Sequence, residues 1–366
     1  MNNVLKLNSI SSLAIKTLGT NYTVTDDCTN PQAVLVRSAV MQDWDVPSSL
    51  LCVARAGAGV NNIPFEDYAT KGIIVFNTPG ANANAVKELV VASLIMASRN
   101  LIAGAKWAQR LVGDDVKKQV EKGKSQFAGT EISGKTIGIL GLGAIGRKVA
   151  TAADALGMKV VGYDPFVCEA AKALDFVTIY DTMEEVFATS DYITIHIPYS
   201  KATHHFINAD SIAKMKDGVI IINAARGELV STDSIKSGIE EKKVRCYVTD
   251  FPDADCLNYD GIIALPHLGA SSAEAEENCA EMAAQEIKLF VEEGTIKNSV
   301  NMPNITVAKN KAHRASVIFS GEIAINVTAE VTNKAGISYA IIESDSVIDA
   351  DALEKTAGVI KARNIF

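Results

Sequence analysis

The chain has 366 residues, 48% of them hydrophobic, enough for two or three ordinary domains with sizeable cores. Its formal net charge of −8 argues against a nucleic-acid or anionic-membrane surface. No apolar run reaches the roughly 18 residues of a membrane span, and Met1–Lys6 carries no apolar signal region, so a cytoplasmic location is expected. Six scattered cysteines without a Cys-x-x-Cys pair predict neither a metal site nor a redox motif, but small apolar residues in a reducing compartment.

Residues 32–36, 50–54 and 72–76 are short apolar runs separated by helical or turn segments, the rhythm of a parallel βαβ sheet. Asn77-Thr78-Pro79-Gly80 ends this series, and a helix over about 84–100 follows. A second series places strands at 136–141, 158–163, 176–180, 192–197, 218–223, 245–249 and 262–265. Thr182 and Glu185 have capping-box spacing. So have Ser271 and Glu274, which open a helix to about 293 that carries the chain back to the smaller domain. The tail reads as strands at 314–319, 322–328, 338–344 and 358–363 with a short helix at 349–356. The expected class is α/β: a smaller doubly wound domain (1–82, completed by 271–300), a larger one (83–270) and a small α+β module (305–366).

The larger domain opens with a buried strand that runs into Gly141-Leu142-Gly143-Ala144-Ile145-Gly146, and Asp164 follows 18 residues after the last glycine. This is a dinucleotide-binding fingerprint in its full context. Gly141 permits the tight turn, Gly143 lets the backbone approach a pyrophosphate, and Gly146 lets the helix pack close to the strand. The helix N-terminus, at Ala144 and Ile145, offers N–H groups to the phosphates. Asp164 is suited to accept the adenosine ribose hydroxyls and to repel a 2′-phosphate, which Pro165-Phe166-Val167 does not offset with a cation. The motif therefore points to NAD rather than NADP.

Hydride transfer between a nicotinamide and a carbonyl needs a proton donor or acceptor and a fixed positive charge. Arg226, just past the strand 218–223, and His267, just past the strand 262–265, sit at strand ends where open α/β sheets place ligands. In the smaller domain Arg37 and Arg55 end two consecutive strands, a position from which they can converge on one anion. His204, His205 and His313 read as solvated, whereas His196 sits at a strand end by the cofactor.

Taken together, Arg55–Ile63, Asn77–Asn82, the glycine fingerprint, Asn223–Gly227, Thr249-Asp250-Phe251-Pro252 and Pro266-His267-Leu268-Gly269-Ala270 make the chain resemble the D-isomer-specific 2-hydroxyacid dehydrogenases. The resemblance covers residues 30–300 in order. It implies two doubly wound domains with the active site between them and a catalytic Arg, acid and His. Arg226 and His267 fit directly. The acid falls at Asp255, an aspartate where the family has glutamate, with Asp253 as the alternative. The resemblance also implies that Ala225 and Asp250 line the nicotinamide, that Gly269 and Ala270 belong to the cofactor site, and that His196, Pro198 and Thr203 lie near the adenosine half. The substrate carboxylate would rest on the N–H groups of Ala58, Gly59 and Val60. Asn82 matches a position near the substrate, and Lys87 is either a cation by the cleft or a solvated one.

Within the family the reading is oxidation of D-3-phosphoglycerate by NAD, the first step of serine biosynthesis, with the phosphate on Arg37 and Arg55. Reduction of glyoxylate or hydroxypyruvate is the alternative within the family, and an NADH-sensing scaffold the alternative outside it. The tail resembles an ACT domain that lacks its first helix, because only Ser320-Gly321-Glu322 separates the first two expected strands. Serine inhibition by that route is therefore expected to be weak or absent. The family pairs subunits through the cofactor domain, so a homo-oligomer, a dimer at least, is expected.

Overall fold

Short runs that are apolar on both faces pair in parallel, because only a sheet covered on both sides can bury them. In the computed structural model, which describes residues 2–365, such runs form two parallel sheets and the tail forms a third, antiparallel one. The chain divides into two compact units. One is the chain up to Asn82 together with the chain from Ala273; the other is Ala83–Ser272.

The first unit begins with β1 (Asn2–Lys6), α1 (Ser12–Leu18), β2 (Tyr22–Thr25), β3 (Ala33–Val36), β4 (Cys52–Arg55), α2 (Phe65–Thr70) and β5 (Ile74–Phe76). The strands pair in parallel in the order β2-β1-β3-β4-β5. β1 and β2 have no counterpart among the strands expected from sequence. β1 offers only Val4-Leu5 between polar ends and β2 alternates with threonine, so neither stands out until paired. The order reverses between β1 and β3, the switch point at which such sheets bind ligands. There Asn8, just past β1, accepts the N–H groups of Arg37, Ser38 and Ala39 at 3.0 Å each.

The second unit begins with α3 (Ala83–Arg99), α4 (Leu101–Ala108) and α5 (Val116–Gly123). It continues through β6 (Thr136–Leu140), α6 (Ala144–Ala155), β7 (Lys159–Tyr163), α7 (Glu169–Lys172), β8 (Val177–Ile179), α8 (Met183–Thr189) and β9 (Tyr192–Ile195). It closes with α9 (Ala209–Ala213), β10 (Val219–Asn223), α10 (Thr232–Glu240), β11 (Val244–Thr249) and β12 (Ile262–Ala264). All seven strands are parallel, in the order β12-β11-β10-β9-β6-β7-β8, and the switch point lies between β6 and β9. α3 turns Val86, Val90, Leu94 and Ala97 into the core beside Ile137, Ile139 and Ile220. Thr182 caps α8 with the reciprocal Glu185 bond that its spacing predicts. Among the described residues no single helix is long and apolar enough to cross a membrane. α3 and α4 reach that length only together, across a 67° bend.

The chain then rejoins the first unit through α11 (Ala273–Glu293). Its face of small residues, Ala280, Ala283 and Ala284, followed by Ile287 and Phe290, packs on the core of Leu35, Ala54 and Phe76. The tail adds β13 (His313–Ser320), β14 (Ala329–Thr332), β15 (Ile337–Ser344), α12 (Ala350–Glu354) and β16 (Val359–Ile365), an antiparallel sheet in the order β14-β15-β13-β16. The strand expected at 322–328 is not formed; β14 starts at Ala329 instead. The alternation of Ile323, Ile325 and Val327 is real. Those side chains cover Val317, Phe319, Ala340 and Ile342 from an irregular segment, so period two here marks a covering strip and not a ladder. No helix intervenes between β13 and β14.

The other side of this sheet, Ile318, Tyr339, Ile341 and Ile365, shares one core with α11 and the five-stranded sheet. Polar groups fasten the junction. Arg314 and Glu343, opposite each other in register, pair at 2.7 Å with each side chain only 3% exposed, and Arg314 also donates to Glu293 O and Val307 O. Arg363 on β16 donates to Phe290 O and Val291 O at the end of α11, and Lys361 to Ser48 O and Leu50 O.

Candidate active site

The cofactor side is built at the carboxyl ends of β6, β7 and β9, within the second unit. Gly141 has φ +96°, and a Cβ there would lie 2.7 Å from His196 O. A Cβ on Gly146 would lie 2.0 Å from Gly141 O, so only glycine lets α6 sit this close to the turn. Gly143 has no atom within 4 Å of where a Cβ would stand, an open cradle beside the first-turn N–H groups of α6, which have no partner within the helix. Asp164 accepts the N–H of Leu142 at Oδ2 and of Phe166 at Oδ1, both at 2.8 Å, which fastens the glycine loop to the end of β7.

Burial pushes the His196 imidazole down to about 3, so it is neutral. Its Nε2 lies 2.9 Å from Thr194 Oγ1, and its Nδ1 is a buried ring nitrogen without a partner among the described residues. Thr203 donates to Pro198 O at 3.1 Å and accepts the N–H of Ser200 at 2.7 Å, closing the loop after β9. The open cradle and the orphaned nitrogen fit a dinucleotide laid across this edge.

The catalytic candidates follow β10, β11 and β12. Asn223, buried at the end of β10, accepts the N–H of Ala225 at 3.1 Å and donates to Arg226 O at 2.7 Å. Asp250, buried at the end of β11, accepts the N–H of Leu268 at 2.7 Å and of Gly269 at 2.8 Å, and so pins the turn that carries His267 and Ala270. His267 has φ +54°, a left-handed conformation held by that turn. Between them lies Phe251. The Arg226 guanidinium is 5.5 Å from its ring centroid, and the His267 ring lies 4.4 Å away, tilted by 50°. One aromatic side chain thus touches both residues.

Asp255 departs from expectation. It is 71% exposed and pairs with Lys236 at 3.3 Å; among the described residues no hydrogen bond joins it to His267. The helix-like turn at 254–256 swings its shorter side chain toward α10. Asp253 is engaged too, accepting from Thr232 Oγ1 at 2.9 Å and from the N–H of Cys256 at 2.9 Å. Burial raises its carboxyl, but these hydrogen bonds outweigh that and hold it below the ordinary carboxylate range. Asp253, Asp255 and His267 nevertheless line one cavity of about 700 Å³, with Glu228, Asp233 and Asp250 also in its wall.

The anion candidates belong to the first unit. Arg37 and Arg55 follow β3 and end β4, and Arg55 Nε donates to Arg37 O at 3.1 Å. A Cβ on Gly57, whose φ is +153°, would lie 2.2 Å from Arg55 Nη1, so the missing side chain makes room for that guanidinium. Glu276 on α11 pairs with Arg37 Nη2 at 2.7 Å. Among the described residues the successive N–H groups of Ala58, Gly59 and Val60 donate to no protein acceptor, although Asn77 Nδ2 holds Ala58 O at 2.6 Å. Asn82 Oδ1 is buried without a partner among the described residues, and the Thr78 hydroxyl is buried beside Cys279. Lys87, in the second unit, lies 3.3 Å from Glu88.

The family profile described as "D-isomer specific 2-hydroxyacid dehydrogenase, NAD binding domain" matches residues 91–269. Hydroxypyruvate reductase of Thermotoga maritima is 38% identical over 255 residues, which are 66% of this chain and 79% of that protein. The chain belongs to the D-isomer-specific 2-hydroxyacid dehydrogenases. D-3-phosphoglycerate dehydrogenase of Methanocaldococcus jannaschii is 31% identical over 345 residues, 91% of this chain. The chain spans 64% of that dehydrogenase's length and 58% of its Archaeoglobus fulgidus counterpart's. The holo form of D-mandelate dehydrogenase from Rhodotorula graminis superposes with a TM-score of 0.71 at 23% identity, covering 82% of this chain and 97% of that one, a likeness of fold. The domain with the glycine loop is therefore the NAD-binding domain of a 2-hydroxyacid dehydrogenase.

Asn8 and Glu276 have no place in the site read from sequence, and Gly57, Asn223 and Phe251 enter it only as members of motifs. Asn223 and Asn8 each follow or end a strand, which is the signal that could have marked them. Nothing local tells that Glu276 meets Arg37, 239 positions away in the chain.

Proposed function

We propose that this chain catalyses NAD-dependent oxidation of D-3-phosphoglycerate to 3-phosphohydroxypyruvate, as in serine biosynthesis. The observation that carries the substrate is the linked pair Arg37 and Arg55 at the carboxyl edge of the five-stranded sheet. Beside it, Ala58, Gly59 and Val60 present successive N–H groups that have no acceptor among the described residues and are suited to a carboxylate. NAD, when bound, supplies the hydride acceptor. Arg226 holds the reacting oxygen and the neighbouring carboxylate. His267 takes the hydroxyl proton as the carbonyl forms, a general-base role that an imidazole can fill. Phe251 keeps the two side chains in register, and Asp250 fixes the backbone that presents the imidazole. Gly141–Gly146, Asp164, His196, Pro198 and Thr203 hold the adenosine and pyrophosphate, with Ala225, Asp250, Gly269 and Ala270 toward the nicotinamide. Asp255, bonded to Lys236, acts on His267 only as a charge in the cavity wall.

Arg37→Ala and Arg55→Ala test the substrate. Each should raise KM for 3-phosphoglycerate by about tenfold or more. If KM for 3-phosphoglycerate stays at the parent value in both, the phosphate assignment fails. The second reading, reduction of hydroxypyruvate or glyoxylate, is favoured by the engagement of Arg37 with Glu276 and by the Thermotoga relative. We also propose a homodimer through the second unit, because α4 buries no residue and leaves Leu101 47% exposed. Light scattering of a monomer at micromolar concentration would refute it.

A further inference from the structure

Glu276 stands in the first turn of α11, and its carboxylate lies 2.7 Å from Arg37 Nη2. Both side chains are partly exposed, at 44% and 37%. Arg55 Nε donates to Arg37 O at 3.1 Å, so the two arginines and the carboxylate stand in one neighbourhood. The site thus carries its own anion. An incoming dianion that reads the Arg37 fork must first take it from Glu276, whose carboxylate then remains close by and repels it. An exposed ion pair is weak enough to be displaced. A substrate whose far end is an uncharged hydroxymethyl group enters no such contest.

We propose that Glu276 is an internal competitor at the anion site and sets the preference between phosphorylated and unphosphorylated hydroxy acids. The proposal rests on the assignment of Arg37 and Arg55 to the phosphate. Glutamine keeps the length and shape of the side chain and removes only the charge.

The test measures NADH-dependent reduction of 3-phosphohydroxypyruvate and of hydroxypyruvate, which differ only by the phosphate, by the parent chain, Glu276→Gln and Arg37→Ala. The ratio of kcat/KM for the phosphorylated over the unphosphorylated substrate should rise about three- to tenfold in Glu276→Gln. The inhibition constant of inorganic phosphate should fall in the same proportion. In Arg37→Ala the ratio should fall. If Arg37→Ala lowers the ratio but Glu276→Gln leaves it unchanged or lowers it too, Glu276 orients the arginine and the competitor role is wrong, while the phosphate reading stands. If Arg37→Ala leaves the ratio unmoved, the phosphate reading fails and the competitor role goes with it.

Discussion

Asp250 Oδ2 accepts the N–H of Gly269 at 2.8 Å, and a Cβ on Gly269 would stand only 3.0 Å from that oxygen. A buried carboxylate at the end of β11 therefore grips the turn that holds His267 in a left-handed conformation.

Asp250→Ala releases that turn and leaves two N–H groups without acceptors. Loss of alignment on the ångström scale costs on the order of a hundredfold in rate, so kcat should fall by about that factor in steady-state assays while cofactor affinity, read by NADH fluorescence, falls much less. Equal losses in both would make Asp250 chiefly a cofactor ligand.

Asp255→Asn separates a bonded acid from a distant one. A carboxylate bonded to His267 would hold the imidazolium, so its removal would shift the acid limb of the oxidation profile to lower pH. Because Asp255 spends its bond on Lys236, the limb should move by less than about 0.3 pH unit. A larger downward shift would show that the side chain turns to His267 in the working enzyme.

Glu286 makes the fold sensitive to alkali. Burial in the core of the first unit raises its carboxyl from 4.5 to about 8, against the hydrogen bond from Asn298 at 2.8 Å, and its Oε2 has no partner among the described residues. Between those two values the folded chain keeps a proton that the unfolded chain has released. Stability therefore falls as pH rises from 5 to 8, by on the order of 3 kcal/mol. Glu286→Gln should flatten this slope in urea melts. A parallel slope in the variant would mean that another group is responsible.

Arg314 and Glu343 form a buried ion pair between β13 and β15. Removal of either partner strands a charge, so Arg314→Ala and Glu343→Ala should each cost about 3–5 kcal/mol of unfolding free energy. The double replacement by Met and Leu should recover most of it. Two small and additive losses would show that the carbonyls of Glu293 and Val307 satisfy the arginine alone.

Serine should leave the rate unchanged at millimolar concentration. The segment 321–328 forms no helix, and Ile323, Ile325 and Val327 already cover the sheet where such a helix would lie. Full inhibition by serine would require a different binding site.

Local chemistry alone determined the glycine turn, the acid at Asp164, the Thr182 cap and the strand-end positions of Arg226 and His267. Each depends on residues within one strand–turn–helix unit, where spacing dictates geometry. Tertiary pairing decided the rest. β1 and β2 are too short and polar-ended to stand out before they join a sheet. The strip 322–328 alternates like a strand, yet packs as a cover. Asp255 answers to Lys236, and Arg37 to Glu276, because groups far apart in sequence meet only once the sheets and helices have closed. A side chain's partner is set by what folding brings within reach, and sequence spacing carries no record of that distance.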